Sequence, residues 1–146
     1  MKYKIDITGE PKGQPRPRAF ARKMGNKYVA RMYHPDTADE WRKAVMMACR
    51  DALQHDWIGP SRAPFAVRMQ FFFTRPKSHF TSKGAPNPRA PVSHTKRPDI
   101  DNLVKAVMDA VTDTELFWFD DSQVVELLVS KSWSMESRCL LELQTI

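Results

Sequence analysis

The chain has 146 residues, of which 42% are hydrophobic, and it carries a net charge of +6 with a pI near 9.5. That length suits one domain with its own core, and the ordinary apolar content excludes wholesale disorder. No apolar run approaches the roughly 20 residues that cross a bilayer, and the basic excess favours a polyanionic partner. In chain order, Tyr3, Ile5 and Ile7 alternate with polar residues and predict a strand that ends at Gly9. Met1-Lys2-Tyr3-Lys4-Ile5 leads directly into that strand with no secretory apolar stretch. This predicts a cytoplasmic protein without a membrane partner. Residues 11–35 hold seven Lys/Arg and no acid, and their Pro and Gly content predicts a loop. Pro35-Asp36-Thr37 then opens a helix to about His55, with Ala38, Trp41, Val45, Ala48, Cys49 and Ala52 at helical spacing. That stripe reads as core or dimer surface. A connector with Gly59, Pro60 and Pro64 leads to a second strand, in which Phe65, Val67, Met69, Phe71 and Phe73 alternate until Pro76.

Residues 75–97 form a second basic segment, with six Lys/Arg and no acid, and also read as a loop. The two segments contain thirteen of the 23 basic residues of the chain. A charge run is ordinarily a solvated face. Here Phe20, Tyr28 and Tyr33 lie within the first segment and His79, Phe80 and His94 within the second. Basic side chains track phosphates while aromatic rings stack on unpaired bases. The candidate DNA contacts are therefore Arg16, Arg18, Arg22 and Lys23, and Arg75, Lys77, Lys83, Arg89, Lys96 and Arg97. Cys49 and Cys139 fall in apolar patterns without metal-ligand spacing and read as reduced core thiols. The four histidines are scattered without zinc spacing.

The second basic segment runs into Pro98-Asp99-Ile100-Asp101-Asn102-Leu103-Val104-Lys105, and Trp118-Phe119-Asp120-Asp121 follows. Pro98 favours an extended approach, on which Asp99 and Asp101 would share a face. Asp101 stands where a helix N-cap belongs, before a helix from about Asp101 to Val111. Lys105 and Asp109 follow at one-turn spacing along one face, and Leu103, Ala106, Val107 and Ala110 form the core face. Taken singly, each piece has a plain reading: a cap, a helical ion pair, a solvated turn. Together they place like charges so close that a cation is needed to neutralise them. Carboxylate oxygens suit magnesium, which takes one or two carboxylates plus water and substrate phosphate. Two further strands, Ser122–Trp133 and Arg138–Gln144, complete the order βαβαββ. The prediction is a single α/β (mixed α+β) domain, a small sheet of about four strands with two helices.

The pattern Pro98-Asp99-x-Asp101-Asn102-Leu103-x-Lys105-Ala106-x-x-Asp109-Ala110, with Trp118-x-Asp120-Asp121-x-Gln123-Val124, resembles the RusA family of Holliday junction resolvases. Gly9-Glu10-Pro11 through Arg16-Pro17-Arg18, and Tyr33-His34-Pro35, resemble its phage-encoded members. The resemblance spans nearly the whole chain, and its specific part is residues 98–124. It implies a Mg²⁺-dependent endonuclease, with Mn²⁺ as a possible substitute, that acts as a homodimer on branched, four-way DNA. By residue match it implies Asp99, Asp101 and Asp121 as metal-site acids, Asp120 as their neighbour, and Lys105 as the catalytic lysine. The segment from Arg75 to Lys96 is longer than the family pattern, which leaves DNA selectivity open. Two alternatives stand beside this reading: a broader nuclease for flaps and forks, and a junction-binding protein without turnover. Four acids beside a DNA surface fit the last poorly, since without metal they repel phosphate.

Overall fold

The computed structural model describes residues 1–16, 18–33 and 37–146. His34, Pro35 and Asp36, where the first helix is expected to open, lie outside the described residues, as do Pro17 and the side chains of Arg18, Met32 and Tyr33. The elements are β1 (Lys2–Thr8), β2 (Arg18–Met24), β3 (Lys27–Tyr33), α1 (Asp39–Asp51), β4 (Phe65–Thr74), α2 (Ile100–Thr114), β5 (Val124–Ser134) and β6 (Arg138–Thr145).

Four strands make one mixed sheet in the order β1-β6-β4-β5. β6 pairs antiparallel with β1 and with β4, and β4 pairs parallel with β5. Parallel strands need a long crossover, and α2 supplies it. The period-2 pattern of the strands puts Tyr3, Ile5 and Ile7, the five odd-numbered apolar residues of β4, and Cys139, Leu141 and Leu143 on one buried face. Trp41, Val45 and Cys49 of α1 and Leu103, Ala106, Val107, Ala110 and Val111 of α2 cover that face. Each large apolar side chain buried this way contributes about 1.5–3 kcal/mol. An ion pair between Arg42 and Asp113 ties the two helices at their outer edge. Cys49 and Cys139 are buried and unbridged, and burial pushes each thiol up to about 12, so both are core thiols and unreactive.

The first basic segment departs from the expected loop. It contains the antiparallel ribbon β2–β3, so the order is βββαβαββ. Met24 pairs with Lys27 across a Gly25-Asn26 turn with positive φ at Gly25, the type II′ pattern that matches strand twist. The ribbon has no buried face among its described side chains, so no hydrophobic alternation marks it in the sequence. The second basic segment is a loop as expected. A 3₁₀ turn at Lys77–His79 opens it, Phe80 bridges to Pro86, and its end pairs with β5 through Ser93 and Ser132.

Candidate metal centre and DNA surface

α2 begins one residue earlier than expected, and Asp99 is its N-cap rather than Asp101. The Asp99 side chain makes no capping hydrogen bond and is exposed, so its carboxylate is not committed to the helix backbone. Asp101 sits within the first turn. The two carboxylates therefore do not share an extended face. Asp99 keeps an extended backbone while Asp101 is already inside the helix, and the two line different clefts. Asp99 lines a cleft of about 730 Å³ with Arg97, Arg16, Gln14 and Asn102. Asp101 lines an adjoining cleft of about 480 Å³ on the other flank of the helix.

That second cleft gathers most of the acidic motif. Asp101, Lys105 and Asp109 enter it from consecutive turns of α2, as their spacing predicts, and Asp121 enters from the turn before β5. Its floor is apolar, with Ile100, Val104, Met108, Leu127 and Val129. Lys105 Nζ donates to Asp109 at 3.3 Å. Arg16 lies 3.7 Å from Asp101, between two exposed side chains. Among the described residues no three Asp, Glu, His or Cys side chains are grouped closely enough to enclose a metal. The donor set nonetheless fits magnesium: carboxylate oxygens only, with Asp101, Asp109 and Asp121 lining one open cleft that has room for water and phosphate.

Asp121 follows a tightly built turn. Trp118 is buried, with its Nε1 donating to Thr112 Oγ1 at 2.8 Å and its ring edge-on to Phe65. Asp120 caps the 3₁₀ turn Asp121–Gln123 by accepting from the Ser122 N–H at 2.9 Å. Hydrogen bonds from the Ser122 side chain and backbone hold its carboxyl below the ordinary carboxylate value. Asp120 thus has a local job beside the cleft, whereas Asp121 faces it.

Gln123 completes this turn. Its Oε1 accepts from the Phe119 and Asp120 N–H groups at 2.9 and 3.3 Å, and its Nε2 donates to the carbonyls of Ser61 and Ala63 at 2.9 and 3.0 Å. This residue has no role in the acidic pattern itself. Its signal is the capping-box spacing, an amide three residues after the capping Asp120.

Of the candidate DNA contacts, Arg16 and Arg97 line the Asp99 cleft. Arg22 and Lys23 are exposed on the β2–β3 ribbon beside exposed Phe20, Tyr28 and Val29. Lys77, Lys83, Arg89, Lys96 and Arg97 are exposed along the second basic loop. Arg75 is used inside that loop, donating to the Pro91 carbonyl at 2.7 Å. The Arg18 side chain lies outside the described set.

A family model described as Endodeoxyribonuclease RusA matches residues 8–144. The uncharacterized protein YqaN of Bacillus subtilis (strain 168) is 34% identical over 137 residues, covering 92% of this chain and 90% of that relative. The acidic motif on α2, the turn that carries Asp121 and the match across nearly the full length agree. The chain belongs to the RusA endodeoxyribonuclease family, the family of Holliday junction resolving endonucleases.

Proposed function

We propose that this chain is a Mg²⁺-dependent endonuclease that resolves four-way DNA junctions by paired phosphodiester hydrolysis, in recombination and repair in the cytoplasm. The observation that carries the reading is the convergence of Asp101, Lys105, Asp109 and Asp121 on one cleft, with the uncommitted Asp99 at the start of the same helix. Asp99, Asp101 and Asp121 would hold Mg²⁺, or Mn²⁺ in its place, with Asp120 as the neighbouring acid. When bound, the ion supplies Lewis-acid stabilisation at the phosphoryl oxygen and a water acidic enough to attack near neutral pH. In the absence of the ion the carboxylates repel the scissile phosphate. Lys105 leaves its exposed pair with Asp109 and offers a point charge to the oxygens that gain charge during cleavage.

Binding falls to the basic surface. Arg16, Arg22 and Lys23 with the ribbon aromatics, and Lys77, Lys83, Arg89, Lys96 and Arg97 on the loop, neutralise the backbones of the arms. Arg18 belongs to this group by sequence position, and Arg75 by supporting the loop.

Resolution of a junction needs two opposed cuts, and a two-fold homodimer provides them. A surface for self-association is available. β5 is an edge strand, and among the described residues the loop pairs with its second half, through Val92–His94. The first half exposes Val125 and Leu128, apolar side chains of the kind that proteins ordinarily pair or shield on an edge strand. Light scattering on metal-free protein is expected to give twice the chain mass of 16.9 kDa. A supercoiled cruciform plasmid is expected to yield linear product, since paired nicks fall within one bound lifetime. A monomer that yields mainly open circles would overturn the paired mechanism and favour the broader flap and fork nuclease. The length of the basic loop is the feature that favours this second reading.

A further inference from the structure

One charged side chain outside the catalytic and DNA-binding roles is Lys131. Lys131 lies on β5 in register with buried Phe71, on the side of the sheet that faces the helices. Its Nζ donates to the carbonyl oxygens of Lys96 at 2.6 Å and Pro98 at 2.8 Å. These carbonyls bracket Arg97, and Pro98 immediately precedes Asp99. The ammonium is half-buried and makes no ion pair among the described residues. Taking a lysine partly out of water is unfavourable unless its hydrogens find strong acceptors.

Attachment of the loop to the strand does not need this side chain. The main chain already provides it: the His94 N–H donates to the Lys131 carbonyl at 3.2 Å, and the Trp133 N–H donates to the Val92 carbonyl at 2.8 Å. Beyond His94 the situation changes. Among the described residues no main-chain to main-chain hydrogen bond holds residues 95–98, and the helical bonds start only with the Leu103 N–H on the Asp99 carbonyl. Pro98 has no N–H with which to anchor itself. Its carbonyl is therefore its main-chain handle, and the lysine holds it.

We propose that Lys131 is a positioning residue: by holding the carbonyls of Lys96 and Pro98 it sets the main chain that presents Asp99 at the start of α2. This rests on the reading in which Asp99 is a metal-site carboxylate. Partners that orient a metal-ligating group from behind typically change metal affinity or activity by about 10–100-fold when removed. The same hold also places Arg97 at the mouth of the Asp99 cleft.

The test compares wild type, Lys131→Met and Lys131→Arg as full-length proteins. Mn²⁺ binding is measured by electron paramagnetic resonance without DNA, cleavage is followed against Mg²⁺ concentration, and thermal unfolding is recorded on the same preparations. Lys131→Met is expected to weaken Mn²⁺ binding and to raise the half-maximal Mg²⁺ concentration, each by about 10–100-fold. Its melting temperature is expected to stay near wild type, because the main-chain pairing at Val92–His94 remains. Lys131→Arg keeps two or more donors within reach of the carbonyls and is expected to restore most of both readouts. Unchanged Mn²⁺ binding in Lys131→Met overturns the proposal. So does an arginine variant as defective as the methionine one, or a loss of metal binding that accompanies collapse of the thermal transition. A wild-type protein that neither binds Mn²⁺ nor cleaves overturns the functional reading itself, and this inference with it.

Discussion

Asp101→Asn and Asp121→Asn are each expected to lower junction cleavage about a thousandfold or more, with junction binding retained or tightened. Each substitution removes a charge from the cleft that both residues line, without changing side-chain size. Lewis-acid stabilisation is worth several kcal/mol, and each 1.4 kcal/mol is about tenfold in rate. The same charge repels the DNA backbone when no ion is present, so its loss favours binding. Both side chains are exposed, and the fold does not depend on either. Asp99→Asn is expected to behave in the same way. Asp120→Asn is expected to act more mildly, because an asparagine oxygen still accepts from the Ser122 N–H. Gel shift and cleavage on the same preparations make the comparison. Binding lost in parallel with cleavage would assign these acids a structural role instead.

Lys105→Ala is expected to lower single-turnover cleavage by about 10²–10³, with junction affinity and melting temperature nearly unchanged. The lysine has two candidate jobs, and their sizes differ. Its pair with Asp109 is a helical i,i+4 contact with the lysine largely in water, the kind worth about 0.3–0.5 kcal/mol. A charge aimed at an oxygen that becomes negative in the transition state is worth about 2.7–4 kcal/mol by analogy with oxyanion donors. Asp109→Ala separates the two, since it removes the lysine's partner and leaves the lysine free. If the pair is what matters, both variants lose stability alike and cleave normally. If the charge acts on phosphate, only Lys105→Ala is slow.

What was legible in the chain follows from the range of the forces involved. The buried strands declare themselves by period-2 alternation, as with Phe65 to Phe73, because one face meets the core and the other does not. The helix faces declare themselves in the same way, and Asp101, Lys105 and Asp109 stand in line in the structure as their spacing requires. The β2–β3 ribbon was hidden for the converse reason. With no described side chain buried, it lacks the alternation that marks a strand, so its Gly25-Asn26 hairpin signal stands alone in a basic, Pro-containing segment. The shared face expected of Asp99 and Asp101 failed because the helix begins at Ile100, so Asp101 is helical while Asp99 keeps an extended backbone. Gln123 and Lys131 were illegible as organisers because their partner carbonyls lie 60 and 62 residues away for the glutamine, and 33 and 35 residues away for the lysine. Such contacts exist only after the sheet has brought the connector, the basic loop and β5 together.

The central claim is that the acidic cluster is a magnesium-dependent cutting site and not a binding surface alone. In this account the ion is Mg²⁺ or Mn²⁺ rather than structural zinc, because the candidate donors at the cleft are carboxylate oxygens. The most direct measurement is incubation of the purified protein with an end-labelled four-way junction, with Mg²⁺ and with EDTA, alongside a gel shift and a circular dichroism spectrum. The account predicts paired nicks in opposed strands with Mg²⁺, and no cleavage in EDTA while junction binding and the spectrum are retained. Full cleavage after complete metal removal, or tight binding without any cleavage in Mg²⁺, would contradict it.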